Sequence, residues 1–237
     1  MKNREMVLIE IQKNPNNNLI LTGKLYREKF SSKISEAAYA QIISRLCKSG
    51  EIERVSQGVY CRPKKTRFGT VLPSEREIVE AFTGGNSGVV VGYGLYNSLG
   101  ITTQISKRQN AYSRIADEQL RQIGNVTIRK YEMEYTDDVK STIQMMELLY
   151  HYRDIQDINI TAWMRSMERL SAGYNEKTFE VVQKTIGYPK WTIAFLREVL
   201  DFYQKPNSLN RYLSALSDYP IPKMEVLYET SRKQSRI

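Results

Sequence analysis

Residues 35–62 read SEAAYAQIISRLCKSGEIERVSQGVYCR, and this stretch decides the fold. Ser35 is placed to cap a helix running from Glu36 to Lys48, with Gly50 just past its end as the stop. Tyr39, Ile42, Ile43 and Leu46 recur at helical spacing and predict the buried stripe. The other face offers Ser35, Glu36, Ala38, Gln41, Arg45 and Lys48. Small and hydrogen-bonding residues near a helix N-terminus, with cations later, suit a helix laid in the major groove of DNA. A hairpin follows. Glu51–Val55 alternates polar and apolar, Ser56-Gln57-Gly58 turns, and Val59–Arg62 returns. A recognition-type helix, a glycine stop and a short hairpin are the order of a winged helix-turn-helix.

Upstream, Met6, Val7, Ile9 and Ile11 give a first helix a short apolar face that ends near Asn14-Pro15. Asn16-Asn17-Asn18 reads as a loop, Thr22 as the N-cap of a second helix through Phe30, and Ser31-Ser32-Lys33 as a tight turn. Downstream of the third helix, Arg54, Gln57 and Arg62 are candidates for phosphate or the minor groove. Lys64, Lys65 and Arg67 follow the wing and are candidates for backbone contacts.

The charge distribution agrees with that reading. Residues 1–70 hold 14 Lys+Arg against 6 Asp+Glu, whereas the remainder holds 21 against 20. A basic head on a neutral body is the footprint of a polyanion-binding module joined to something with another job. RNA is the weaker match, because no stacking-aromatic platform of a known RNA motif is present.

Composition bounds the rest. The chain has 237 residues, 41% hydrophobic and 10% aromatic, enough for a buried core. No apolar run approaches the roughly 18–20 residues of a membrane span. The first 15 residues carry charges inside their apolar stretch and no small-residue cleavage site, so a cytoplasmic location is expected. Two cysteines, Cys47 and Cys61, and one histidine, His151, cannot build a standard zinc site, so no metal is expected. Both cysteines read as reduced thiols. No P-loop, His-Glu-x-x-His or Gly-x-Ser-x-Gly is present, and no cofactor or catalytic residue is expected. A nuclease assembled from an Asp, a Glu and a Lys far apart in sequence is the one enzymatic alternative.

Past the head, Ser74-Glu75-Arg76-Glu77 fits a capping box ahead of Ile78, Val79 and Phe82. Gly88–Val91 reads as a short buried strand and Leu95–Leu99 as a short helix. Gly92-Tyr93-Gly94 is a turn, too short for a dinucleotide fingerprint. Ile101–Tyr135 is mostly strand-like, clearest at Thr102–Ile105 and Val126–Tyr131. Asp137-Asp138 starts a helix carrying Ile143, Met146, Leu149 and Tyr150. After Asp157 the chain reads as helical, with caps expected at Thr161 and Asn175 and Pro189 at the first helical position. A last helix runs through Leu209, Tyr212, Leu213 and Leu216, Pro220 and Pro222 end the packing, and Thr230–Ile237 frays. The expected fold is α+β, in three parts: a winged helix-turn-helix (1–67), a small mixed α/β region (68–156) and a helical C-terminal region (157–237).

Ser44-Arg45-Leu46, Gly50-Glu51-Ile52, Arg54-Val55 and Gly58-Val59-Tyr60 resemble the winged-helix start of the AbiEi-family antitoxins. Pro63–Gly69 with Pro73-Ser74-Glu75 is similar to the DUF6088 branch of that group. So are Gly92-Tyr93, Tyr96-Asn97 and Leu99–Gln104. The resemblance covers roughly residues 35–131. It implies a bifunctional, non-enzymatic protein. Its winged helix would bind inverted repeats in the promoter of its own operon and repress it. The rest would antagonise a partner toxin, typically a nucleotidyltransferase-like protein. It places the DNA role on the third helix and wing, and marks no toxin-contacting residue. A palindromic operator implies either a homodimer or two monomers side by side. The rival readings are an interaction module that neutralises a toxin with little DNA binding, and a winged-helix-targeted nuclease.

Overall fold

The structure is a computed structural model and describes residues 2–13, 19–67, 69–214 and 217–234. The head comprises α1 (Asn3–Gln12), β1 (Leu19–Leu21), α2 (Thr22–Lys29), α3 (Glu36–Lys48), β2 (Glu53–Ser56) and β3 (Val59–Cys61). Its strands form one antiparallel sheet in the order β1-β3-β2. The expected loop at Asn16–Asn18 lies outside the described residues.

α3 forms for the reasons its sequence predicts. Ser35 accepts from the Ala38 N–H at 3.4 Å, and past the C-cap Ser49 the backbone of Gly50 takes a φ of 75° that a Cβ would disfavour. Tyr39, Ile42, Ile43 and Leu46 are buried together with Val7 and Ile11 of α1, Ile20, Phe30, Ile34 and Ile52. β1 has no counterpart in the sequence reading. Its pairing with β3 also corrects the start of α2. Leu21 holds the N-cap position, and the Thr22 hydroxyl donates to the Gly58 carbonyl at 3.0 Å instead of capping.

Beyond β3 the chain forms a second antiparallel ribbon, β4 (Lys64–Thr66) with β5 (Gly69–Val71), and β5 is exposed along its length. The mixed region comprises α4 (Glu75–Thr83), β6 (Gly88–Val91), α5 (Tyr93–Ser98), β7 (Gln109–Ser113), β8 (Leu120–Ile123), β9 (Val126–Lys130) and α6 (Asp137–Tyr150). The sheet order is β6-β7-β9-β8, with β7 and β9 parallel and the other pairs antiparallel. The capping box at Ser74 and Glu77 is present. Ile78, Val79 and Phe82 of α4 pack on Ala111, Ile123, Val126 and Ile128. Val59, Leu19, Leu21 and Val55 of the head join the same cluster. The head's sheet therefore shares a core with the region that follows it.

Thr102–Ile105 is not a strand. The Asn97 amide donates to the carbonyls of Thr102 and Gln104, and the Thr102 hydroxyl donates to the Gln156 carbonyl at 2.7 Å. These side-chain bonds hold the segment in a loop.

Four further helices are α7 (Ile160–Ala172), α8 (Glu176–Ile186), α9 (Lys190–Phe202) and α10 (Met224–Gln234). Asn175 caps α8 as expected, and Gly187 ends it at φ 78°. Three boundaries differ. Asn159 caps α7, accepting from Ala162 N–H at 3.0 Å, while the Thr161 hydroxyl donates to the Ser231 carbonyl. Pro189 is the N-cap of α9 rather than its first helical residue. The helix expected through Leu216 reduces to a 3-10 turn, Leu209–Tyr212, because Ser214 N–H donates to the Tyr219 hydroxyl rather than to a helical carbonyl. Leu216 is outside the described residues. The tail does not fray at Thr230. α10 continues to Gln234, with Met224 and Leu227 buried in the main core. That core runs from β6 through α6 to α10. Among the described residues no helix is long and apolar enough to cross a membrane.

Candidate functional site

α3 turns its apolar stripe inward and leaves Ala37, Ala40, Gln41, Ser44, Arg45 and Lys48 exposed. Ala37, Gln41, Ser44 and Lys48 follow i, i+4, i+7, i+11 spacing and so lie in one line, with Arg45 beside it. Ser35 and Glu36 are exposed at the start of the helix. Ala38 departs from the expectation. It is half-buried against the head's core, on the shoulder of the apolar stripe. Ala37 and Ser44 were missing from the sequence-derived set, although the i, i+4 geometry through Gln41 and Lys48 carries them.

Three of the head's acidic side chains pair with cations other than those of α3. Arg4 meets Glu51 at 2.5 Å, Lys13 meets Glu10 at 2.6 Å, and Lys24 lies 3.9 Å from Glu28. The hydrogen bond from Lys13 holds the Glu10 carboxyl below its ordinary value. Among the described residues no acidic side chain forms an ion pair with Arg45, Lys48, Arg54 or Lys64. Cations not held by ion pairs within the chain are available to meet a polyanion, with Glu36 in the first turn of α3 the acidic side chain on the same helix.

The hairpin that the sequence reads as a wing is β2–β3. A register shift between Arg54 and Ser56 marks a bulge at Val55, whose side chain packs toward α4. Arg54 and Gln57 are exposed on this hairpin. Arg62 does not share that face, since its Nη1 donates to the Gln12 carbonyl at 3.0 Å and ties the end of β3 to the end of α1. The cations that follow sit on the β4–β5 ribbon rather than on a loose strand. Lys64 pairs in register with Val71 and Lys65 with Thr70, and Arg67 is exposed at the ribbon's turn. Cys47 and Cys61 are free thiols, and burial, with Glu53 and Glu77 adding to it, pushes the Cys61 thiol up to about 11.

The sequence pattern of DUF6088, a family of unknown function, matches residues 10–136. The chain belongs to the DUF6088 family. The DUF6088 match takes in α3, the wing, the ribbon and the mixed sheet, and stops at Thr136, the N-cap of α6. The charged face of α3 is thus part of the DUF6088 segment, and the C-terminal helices lie outside it. No curated protein matches the sequence. The crystal structure of the RV2827C protein from Mycobacterium tuberculosis aligns with a TM-score of 0.39 at 11% identity, over 85% of this chain and 77% of that one.

Proposed function

We propose that this DUF6088 member is a DNA-binding transcriptional autorepressor that acts as the antitoxin of a toxin–antitoxin pair. The observation that carries the reading is the exposed face of α3, where Gln41, Ser44, Arg45 and Lys48 stand clear of the core and, among the described residues, no acidic side chain forms an ion pair with Arg45 or Lys48. The element order of the head, with β1-β3-β2 pairing behind α2 and α3, supports a winged helix-turn-helix. In this reading α3 enters the major groove. Gln41 and Arg45 reach base edges, Arg45 suiting guanine O6 and N7. Glu36, in the first turn of α3, suits a cytosine amine, while Lys48, in its last turn, meets phosphate. Arg54 and Gln57 of the wing and the cations of the β4–β5 ribbon add contacts to the backbone.

The antitoxin half of the proposal rests on the resemblance of residues 35–131 to AbiEi-type proteins and on the neutral charge of the body. Its partner would be a nucleotidyltransferase-like toxin. The deciding experiment is a mobility-shift series in rising salt. The full chain is tested on the DNA upstream of its own gene, with scrambled DNA of equal length beside it. Preference for the upstream DNA with a steep salt dependence supports the repressor; equal binding to both, or none, removes it.

An interaction-only antitoxin is the second reading, and it is favoured by Ile105, 88% exposed in the loop next to the Thr102-Thr103-Gln104 motif. Co-expression with the neighbouring gene's product separates the two. Rescue by the Arg45→Ala, Lys48→Ala double variant would put the antidote away from α3.

A further inference from the structure

The register of the mixed sheet brings a second polar site together, on the face away from α4. Asn110 pairs with Thr127 and Tyr112 with Arg129, so these four side chains share one face of β7 and β9. α6 contributes Glu147 and His151, one helical turn apart. The six residues line a cavity of about 210 Å³. Gly92 shapes its wall. At φ 66° it sits where an added Cβ would come within 3.0 Å of the Asn110 amide nitrogen.

Glu147 is the focus of this cavity. It is 2% exposed. Its Oε1 accepts from the Tyr188 hydroxyl at 2.7 Å and from the Tyr112 hydroxyl at 2.9 Å. Among the described residues no donor hydrogen-bonds to its Oε2. His151 Nε2 lies 3.8 Å from Oε2, beyond hydrogen-bond reach. His151 is held there from its other side, with Nδ1 3.0 Å from Asp154 Oδ2. One oxygen of this carboxyl is thus engaged by two tyrosines, and the other is open to the cavity's polar lining. At the rim, Arg129 is exposed and forms no ion pair with any described acidic residue, yet its charge is felt by Glu147.

We propose that this cavity binds a small zwitterion, an α-amino acid, with its ammonium on Glu147 Oε2 and its carboxylate on Arg129 and the Asn110 amide. The inference is independent of the DNA-binding reading. The arrangement disfavours the simpler ligands. A lone anion would face the Glu147 carboxyl, and a lone cation would face Arg129. A metal ion lacks a ligand set, since no group of three His, Cys, Asp or Glu is gathered among the described residues. The volume lies below the roughly 300–1,000 Å³ of pockets for drug-sized ligands, which fits a compact metabolite.

The test is thermal unfolding of the full chain with each of the standard amino acids in turn. A hit is then compared with its N-acetyl and carboxamide forms, and inorganic phosphate is run beside it. The expected result is a rise in Tm of about 3–6 °C at roughly tenfold the Kd for at least one free amino acid. Blocking either end should abolish the rise, and so should Arg129→Met and Glu147→Gln. Arg129 is exposed, so its variant keeps the test alive if the Glu147 variant folds poorly. The proposal is overturned if no amino acid shifts Tm, if a blocked form works as well as the free one, or if the shift survives Arg129→Met. A shift given by phosphate alone also overturns it.

Discussion

Asp117 accepts from the buried Arg121 guanidinium at 2.5 Å, and the same carboxylate stands against the wing turn, where a Cβ on Gly58 would lie 3.3 Å from its Oδ2. Arg121 is 3% exposed, so the middle sheet presents a fixed anchor to the tip of the β2–β3 hairpin. Thr22 closes the contact from the other side, since both its N–H and its hydroxyl donate to the Gly58 carbonyl at 3.0 Å. The wing is thereby braced between α2 and the body instead of projecting freely.

That bracing separates two glycines that are otherwise alike. Gly58 and Gly50 have φ of 66° and 75°, but an added Cβ at Gly50 meets nothing within 4 Å. Gly50→Ala should therefore cost only the left-handed backbone strain, about 1–2 kcal/mol. Gly58→Ala should cost about 1 kcal/mol more, because the Asp117 carboxylate must shift while Arg121 holds it. Urea midpoints of the two variants measure the difference. Equal destabilisation would mean that Asp117 yields freely and does not brace the wing.

Under the proposed function, Arg45 and Arg54 should behave differently. Arg45 lies on α3 and is assigned to a base edge, so Arg45→Ala should cost about 1–3 kcal/mol on the operator and relax sequence preference there. Arg54 lies on the wing and is assigned to the backbone. Arg54→Ala should weaken operator and scrambled DNA alike and lower the salt slope by about 1. Mobility shifts at several salt concentrations read both. Wild-type affinity in both variants would remove α3 and the wing from the interface.

Sequence and structure agree most closely where local chemistry and burial point the same way. α3, α4 and α8 combine a side-chain cap, a helical apolar stripe and a terminating residue, and all three were legible. β1 was not, because three apolar residues after an asparagine run carry no alternation, and only pairing with β3 makes them a strand. α10 follows two prolines and buries little beyond Met224 and Leu227, a face too narrow to read against the tail's polarity. On α3 the helix was legible, but Ala38 was read as exposed and is half-buried, since an alanine carries no signal of its own environment. The cavity around Glu147 was not legible at all. Its residues are spread from Gly92 to His151 and meet only through the parallel register of β7 on β9.

The start of α7 offers a local check on the same point. Both Asn159 and Thr161 are capping residue types, and the structure uses Asn159. Asn159→Ala should cost about 1 kcal/mol through the lost bond to Ala162 N–H. Thr161→Ser, which keeps a hydroxyl for the Ser231 carbonyl, should cost less than half of that. Reversed magnitudes in chemical denaturation would return the cap to Thr161.

Glu147 should also imprint its burial on the pH dependence of stability. Desolvation raises its carboxyl above the ordinary range, and Tyr188, His151, Tyr112 and Arg129 offset only part of that rise. A carboxyl raised in the folded chain still holds its proton where the unfolded chain has released it. Its contribution to stability is therefore fully present below the unfolded value and is lost as pH climbs through the folded one. Glu147→Gln has no proton to lose and can still accept from both tyrosines. The stability of the variant relative to wild type should thus improve as pH rises from about 4, the ordinary glutamate range, through neutrality. Urea unfolding across that range measures the trend. A difference that stays flat or shrinks with rising pH would show that the carboxyl ionises in the folded chain as readily as in the unfolded one, and that the polar groups around it repay its burial in full.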